Sequence, residues 1–183
     1  MPTVALKNYK KIKNLAGRPL GLVILWELVS CLTLRNRLCA CNFLKKWVLR
    51  LFGSAIGPGV VIKQQVAVKY PWKLTVGADT WLGEGVWIDN IALVSISHDV
   101  CLSQGAYVCT GNHDWSQPDF PLSARPVVIE EGVWVGARAI ITGGLKLGSH
   151  SVITAGSVVV QDTGAYQIVQ GNPAVFIKNR TIQ

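Results

Sequence analysis

Between residues 129 and 160 an aliphatic side chain returns at every sixth position: Ile129, Val135, Ile141, Leu147, Ile153 and Val159. A period of six fits neither the 3.6-residue helix nor the two-residue alternation of an ordinary strand. The same register runs earlier through Ile56, Ile62 and Val68. It slips by two residues at Tyr70–Trp72 and resumes through Val76, Leu82, Ile88, Val94, Val100 and Ala106. It breaks once more and returns at Ile129, reaching Ala165. Fourteen of these sixteen positions are Ile, Leu or Val, so the spacing reports a backbone repeat rather than a chance run.

A stacked triangular coil satisfies such a repeat. Each hexapeptide supplies a short strand and a corner, and three close one turn of a prism. The aliphatic points to the prism axis, successive coils pair their backbones, and the aliphatics stack in continuous ladders. Three buried aliphatics per coil contribute roughly 5–9 kcal/mol before the entropy of ordering is charged. Glycine often follows the aliphatic (Gly57, Gly77, Gly83, Gly136, Gly148), and we expect it there to supply corner dihedrals that other residues resist. Small residues two positions before an aliphatic, such as Ala139, Ser151 and Ser157, suit a tight corner. A sandwich or barrel uses strands of variable length and would not hold a fixed spacing this long.

Residues 1–52 lack the repeat. They carry ten Lys or Arg and one acid, Glu27, within residues 1–50, whereas residues 51–183 carry eight basic and nine acidic residues. The basic excess therefore belongs to the N-terminal segment. The nearly neutral body argues against a nucleic-acid partner. Residues 20–34 are apolar nearly all round and residues 42–52 are amphipathic and basic. The pattern predicts two helices that cap the prism or pack on its side. The first is short for a membrane span. Two placements stay open: burial against the prism, or a membrane surface with Trp26 and Trp47 at the interface. No cleavable signal peptide is apparent, and a cytoplasmic setting is expected. The five cysteines read as free thiols buried like small hydrophobes, and Cys39–Cys41 as too isolated for a metal site.

Four stretches sharpen the reading: CTGNHD (109–114), EEGVWVGARAIITGGLKLG (130–148), TAGSVVVQD (154–162) and QGNPA (170–174). With the repeat, they make residues 54–180 resemble the hexapeptide-repeat acyltransferases, and within these the colanic-acid-biosynthesis type, near the galactoside, maltose and nodulation O-acetyltransferases. The resemblance implies an all-β fold, a left-handed parallel β-helix over residues 53–183, and a homotrimer with active sites between protomers. It implies acetyl-CoA as acyl donor, a sugar hydroxyl as acceptor, and no metal.

Residues 112–128 interrupt the coils with a Pro-rich polar loop, and a loop that long in a solenoid is usually functional. His113 stands at its base. Acyl transfer to a hydroxyl needs a base, and an imidazole, with an ordinary pKa near 6.5, suits that role. His113 matches the family's catalytic histidine, Asp114 is a candidate to orient it, and Asn90, with Asp89 as competitor, is a candidate acceptor or oxyanion group. Small residues at Gly136, Ala137, Ala155 and Gly156 would let the donor approach the backbone. Asn172, Pro173 and Ala174 resemble the closing turn beside the donor. Family members usually continue that turn with a basic residue; Val175 stands here instead, so Lys178 and Arg180 become the candidates for phosphate. Trp81, Trp87 and Trp134 point outward, which predicts a trimer interface over them, or for Trp134 a ligand contact. The gamma-class carbonic anhydrases share this prism and bind zinc through three histidines, two of them spaced HxxxxH; His98, His113 and His150 depart from that pattern. An N-acyltransferase acting on an amino sugar, and a non-catalytic scaffold, are the alternatives.

Overall fold

The computed structural model describes residues 3–183. Two helices, α1 (Leu20–Leu32) and α2 (Asn42–Leu51), precede a left-handed parallel β-helix. Its first face stacks Ala55–Ile56, Leu74–Val76, Val94–Ile96, Val127–Ile129 and Lys146–Leu147. The second stacks Val61–Ile62, Trp81–Leu82, Cys101–Leu102, Trp134–Val135 and Val152–Ile153, and closes with an antiparallel hairpin, Gln167–Gly171 with Ala174–Asn179. The third stacks Ala67–Val68, Trp87–Asp89, Tyr107–Cys109, Ile140–Thr142 and Val158–Val159.

Each hexapeptide buries two side chains, such as Val60 with Ile62, Val86 with Ile88, and Ser151 with Ile153. This corrects the register. After Ile88 the chain slips a second time, at Asn90–Leu93, and the ladder continues through Ile96, Leu102 and Val108. Val94, Val100 and Ala106 fill the other inward position, two residues earlier.

The glycines that follow the ladder residues also act differently from expectation. Left-handed backbone falls two residues later, at Gly59, Gln65, Asp79, Gly85, Asp99 and their successors. Gly57, Gly77, Gly83, Gly136 and Gly148 are needed because neighbouring coils touch there. A β-carbon on Gly77 would stand 2.5 Å from Ser97 C, and one on Gly136 2.5 Å from Ala155 N. Close approach, not dihedral freedom, excludes larger residues.

The N-terminal helices cap the first coil. In later coils each ladder carbonyl accepts a backbone N–H from the coil before, as Val76 O does from Gly57 N and Leu82 O from Lys63 N. The first coil has no coil before it, and an open sheet edge invites unwanted pairing. Side chains take over on every face. Arg50 donates to Ile56 O (2.7 Å), the fully buried Lys45 to Ile62 O (3.2 Å) and Lys63 O (2.8 Å), and Trp26 Nε1 to Val68 O (3.0 Å). Asn42 bridges Val60 O and Ile62 N. Burial holds the Lys45 ammonium below its ordinary pKa, with nearby thiols opposing the shift. Trp26 is fully buried and packs on Phe52, so it is a core residue and not a membrane-interface one. None of the five free cysteines is fully buried; Cys31 and Cys41 are exposed.

Candidate active site

The loop predicted at residues 112–128 is a hairpin growing from the corner between the third and first faces. Gly111–His113 pairs antiparallel with Leu122–Ala124, and Val127 has already rejoined the first face beside Val94. The ladder fixes His113 opposite Leu122. Its Nδ1 lies 2.8 Å from Phe120 O, and its ring stacks on Phe120 at 4.4 Å. A carbonyl oxygen only accepts, so Nδ1 carries the proton of the neutral ring and Nε2 is left as the acceptor. A cavity of about 480 Å³ opens beside it, lined by Asn112, His113, Asp114, Trp115, Ser116, Ser123 and Arg125.

Asp114 does not orient the ring. Its carboxylate accepts the hydroxyl and the backbone N–H of Ser116, which hold it below the usual carboxylate range. The orienting group is the Phe120 carbonyl. Asn90 is fully buried, and its amide is spent on a backbone bracket: Oδ1 accepts from Tyr70 N (2.9 Å) and Nδ2 donates to Tyr70 O (2.7 Å). It pins the slipped corner and presents nothing to an acceptor. Its competitor, Asp89, pairs with Lys69 at 2.9 Å.

On the second face a groove of about 300 Å³ brings together Trp134, Gly136, Ala137 and Ala155 with Ser103, Gln104, Val152, Ile153 and Thr154. Half-exposed Trp134 is anchored by Nε1 donating to Ser103 Oγ (2.9 Å). Gly156, with φ of 72°, turns the adjoining corner. Asn172 and Pro173 form the turn of the closing hairpin and Ala174 opens its second strand; Gly171 N ties the turn to the prism by donating to Ser157 Oγ (3.1 Å). Arg180 is partly engaged by the fold. Its Nη1 donates to Gly132 O (3.0 Å) and His150 O (3.2 Å), which pins the C-terminal strand. Lys178 is exposed on that strand. The His113 cavity and the groove share no residue and lie at different edges of the prism. His98 pairs with Asp99 and His150 packs on Tyr166, each away from His113. No cluster of three or more metal-ligating side chains occurs among the described residues.

A family profile described as bacterial transferase hexapeptide (six repeats) matches residues 126–161. The WcaF protein of Escherichia coli K12, named for a colanic acid biosynthesis acetyltransferase, is 38% identical over 136 residues, 74% of this chain and 75% of that one. The chain belongs to the hexapeptide-repeat acetyltransferases. A maltose O-acetyltransferase structure from Clostridium difficile superposes on this acetyltransferase with a TM-score of 0.78 at 25% identity, covering 95% of this chain and 92% of the other. The hexapeptide-repeat acetyltransferase VCA0836 of Vibrio cholerae, solved with acetyl coenzyme A, shares the fold with a TM-score of 0.77 at 23% identity over 87% of each chain.

One neighbour of the acetyltransferase's histidine left no signal in the sequence. Residues 3–17 run as a strap along the hairpin corner. Ala16 O and Leu15 O accept from Trp72 Nε1 (2.7 Å) and Lys73 Nζ (2.9 Å), and at the far end Ala5 N donates to Pro118 O (2.8 Å). Tyr9 thereby comes to rest 5.9 Å from the His113 ring. Phe120, Tyr9 and Arg125 carry no motif, because only the folded hairpin and strap bring them to the histidine.

Proposed function

We propose that this acetyltransferase moves the acetyl group of acetyl-CoA directly onto a sugar hydroxyl of a polysaccharide or glycan intermediate. One observation carries the reading: the Phe120 carbonyl holds the Nδ1 proton of His113, which leaves Nε2 as the acceptor beside an open cavity. Nε2 accepts the acceptor hydroxyl's proton as its oxygen attacks the thioester carbonyl. The tetrahedral intermediate then expels the CoA thiolate, which takes the proton back from the imidazolium. The chain needs no acyl-enzyme stage for this; a positioned base and a bound thioester suffice.

The groove of Trp134, Gly136, Ala137 and Ala155 is read as the seat of the pantetheine arm, since small residues there expose backbone amides to a ligand. Because that groove and His113 occupy different edges of one prism, we assign the active site to the seam between protomers of a homotrimer. His113 of one copy would then serve the groove of the next. The exposed Trp81 and Trp87 suit burial in the same assembly. We place the reaction in the cytoplasm, with residues 1–52 holding the enzyme against the membrane that carries the growing glycan. Lys178 remains a candidate for the CoA phosphates.

The test is a His113→Ala variant assayed by thiol release with a panel of sugars, and by calorimetry with CoA. The expected result is retained CoA affinity and a loss of transfer of about 10²–10⁴-fold, the usual contribution of a positioned base. Transfer at the wild-type rate would remove His113 from the mechanism.

A further inference from the structure

The helical cap leaves an apolar surface that the prism does not use. On α1 the residues Leu20, Ile24, Leu28 and Leu32 recur at intervals of four and are all exposed, Leu28 at 60%. On α2 the series Phe43, Trp47 and Leu51 repeats the spacing, with Trp47 at 52%. Between the helices Leu38 is 90% exposed. Side chains four apart share one helix face, so each helix turns a continuous apolar stripe to solvent. The opposite sides are the ones that pack: Trp26 and Ser30 on α1, and Lys45, Val48 and Leu49 on α2. Contiguous exposed apolar stripes of this kind mark an interaction surface.

The charge around the stripes selects the occupant. Arg18 and Arg37 flank α1 and Lys46 lies on α2. The one acid of the segment, Glu27, is already paired with Arg35 at 2.6 Å. A second copy of this face would bring like charge against like, which opposes association. A bilayer with anionic headgroups matches both features: hydrocarbon for the stripes and negative charge for the basic rim. No helix among the described residues is long and apolar enough to cross a membrane, so the cap would lie in the interface. Trp47 is the side-chain type that settles at that depth.

We propose that α1 and α2 form an interfacial dock for anionic bilayers, with Leu28 and Trp47 as its principal insertions. The proposal deepens the membrane placement above and is independent of the chemistry assigned to His113. The cap then serves twice, since the helices that seal the first coil's carbonyls present their backs to the lipid.

The experiment is flotation of the full chain with vesicles of phosphatidylcholine alone or mixed with phosphatidylglycerol, at low and raised salt. Light scattering of the protein alone runs in parallel. The expected result is recruitment by the anionic vesicles only, weakened by salt and more than tenfold by Leu28→Ser with Trp47→Ser. The variant should keep CoA binding and the oligomeric state, since both side chains are exposed. Failure to float with any vesicle would overturn the dock, as would flotation indifferent to the double substitution. So would a variant that dissociates an oligomer, because a second copy would then be the occupant. A wild-type transfer rate in His113→Ala would sink the catalytic reading and leave the dock untouched.

Discussion

Replacing Asn90 with alanine separates two accounts of that residue. Its amide makes two hydrogen bonds to the Tyr70 backbone, at 2.9 and 2.7 Å, in a fully buried setting. Alanine removes both partners and leaves a buried N–H and a buried C=O unmet. Each such group costs about 1–3 kcal/mol, so the pair costs roughly 2–5 kcal/mol once partial relaxation is allowed. Unfolding entropy of about 2.1 cal/mol/K per residue gives about 0.4 kcal/mol/K for a chain of 183 residues, hence a Tm lowered by about 5–13 °C. Tyr70 also stacks on Trp72 at 5.4 Å, and Trp72 holds the strap through Ala16 O. The slipped corner and the strap should therefore loosen together, which faster proteolysis near residues 10–17 would report. Thermal unfolding by calorimetry measures the first effect, and CoA titration well below both transitions measures the groove, which should be unchanged. An unchanged Tm with a collapsed turnover would refute this reasoning and return Asn90 to the acceptor-binding role its sequence context suggested.

Asp114→Ala should leave transfer within a few-fold of wild type, because that carboxylate caps Ser116 and does not touch His113; steady-state kinetics checks this. Gly136→Ala should both destabilise the chain and abolish CoA binding, since the added carbon would stand 2.5 Å from Ala155 N, and prising coils apart costs about 1–3 kcal/mol or more. Melting and calorimetry report the two losses separately. Ala5→Pro deletes the N–H that reaches Pro118 O, the single hydrogen bond among the described residues that ties the 114–121 turn to anything outside its own hairpin. We expect turnover to fall about tenfold with CoA affinity retained, read from kcat against the CoA dissociation constant, and a full wild-type kcat would count against a strap that steadies His113.

The repeat was legible because a prism asks the same thing of every sixth residue. Its phase past Ile88 was less so: Val94 and Ile96 are both aliphatic and both inward, and either could continue the count. The deciding feature was the two-residue insertion at the corner bracketed by Asn90. Glycine after the ladder residue was visible, but its reason was not, since close approach between coils is a distance across the stack and leaves no trace in local spacing. His113 was found by its stretch, and the groove residues by their smallness. The Phe120 carbonyl that orients His113 belongs to the backbone, which any side chain could have supplied.

The sequence by itself determined the coil, because hydrophobic periodicity is a local demand that each hexapeptide meets alone. It also determined the neutral body and the basic, apolar start. Tertiary structure alone decided which polar groups were already spent. Asn90, Asp114 and Arg180 looked free as letters, yet each is engaged by a backbone or side-chain partner that folding brings within about 3 Å. Pairing is settled atom by atom, as when Phe120 O takes Nδ1 of His113 and leaves Nε2 open, and only three-dimensional proximity reveals which atoms are taken.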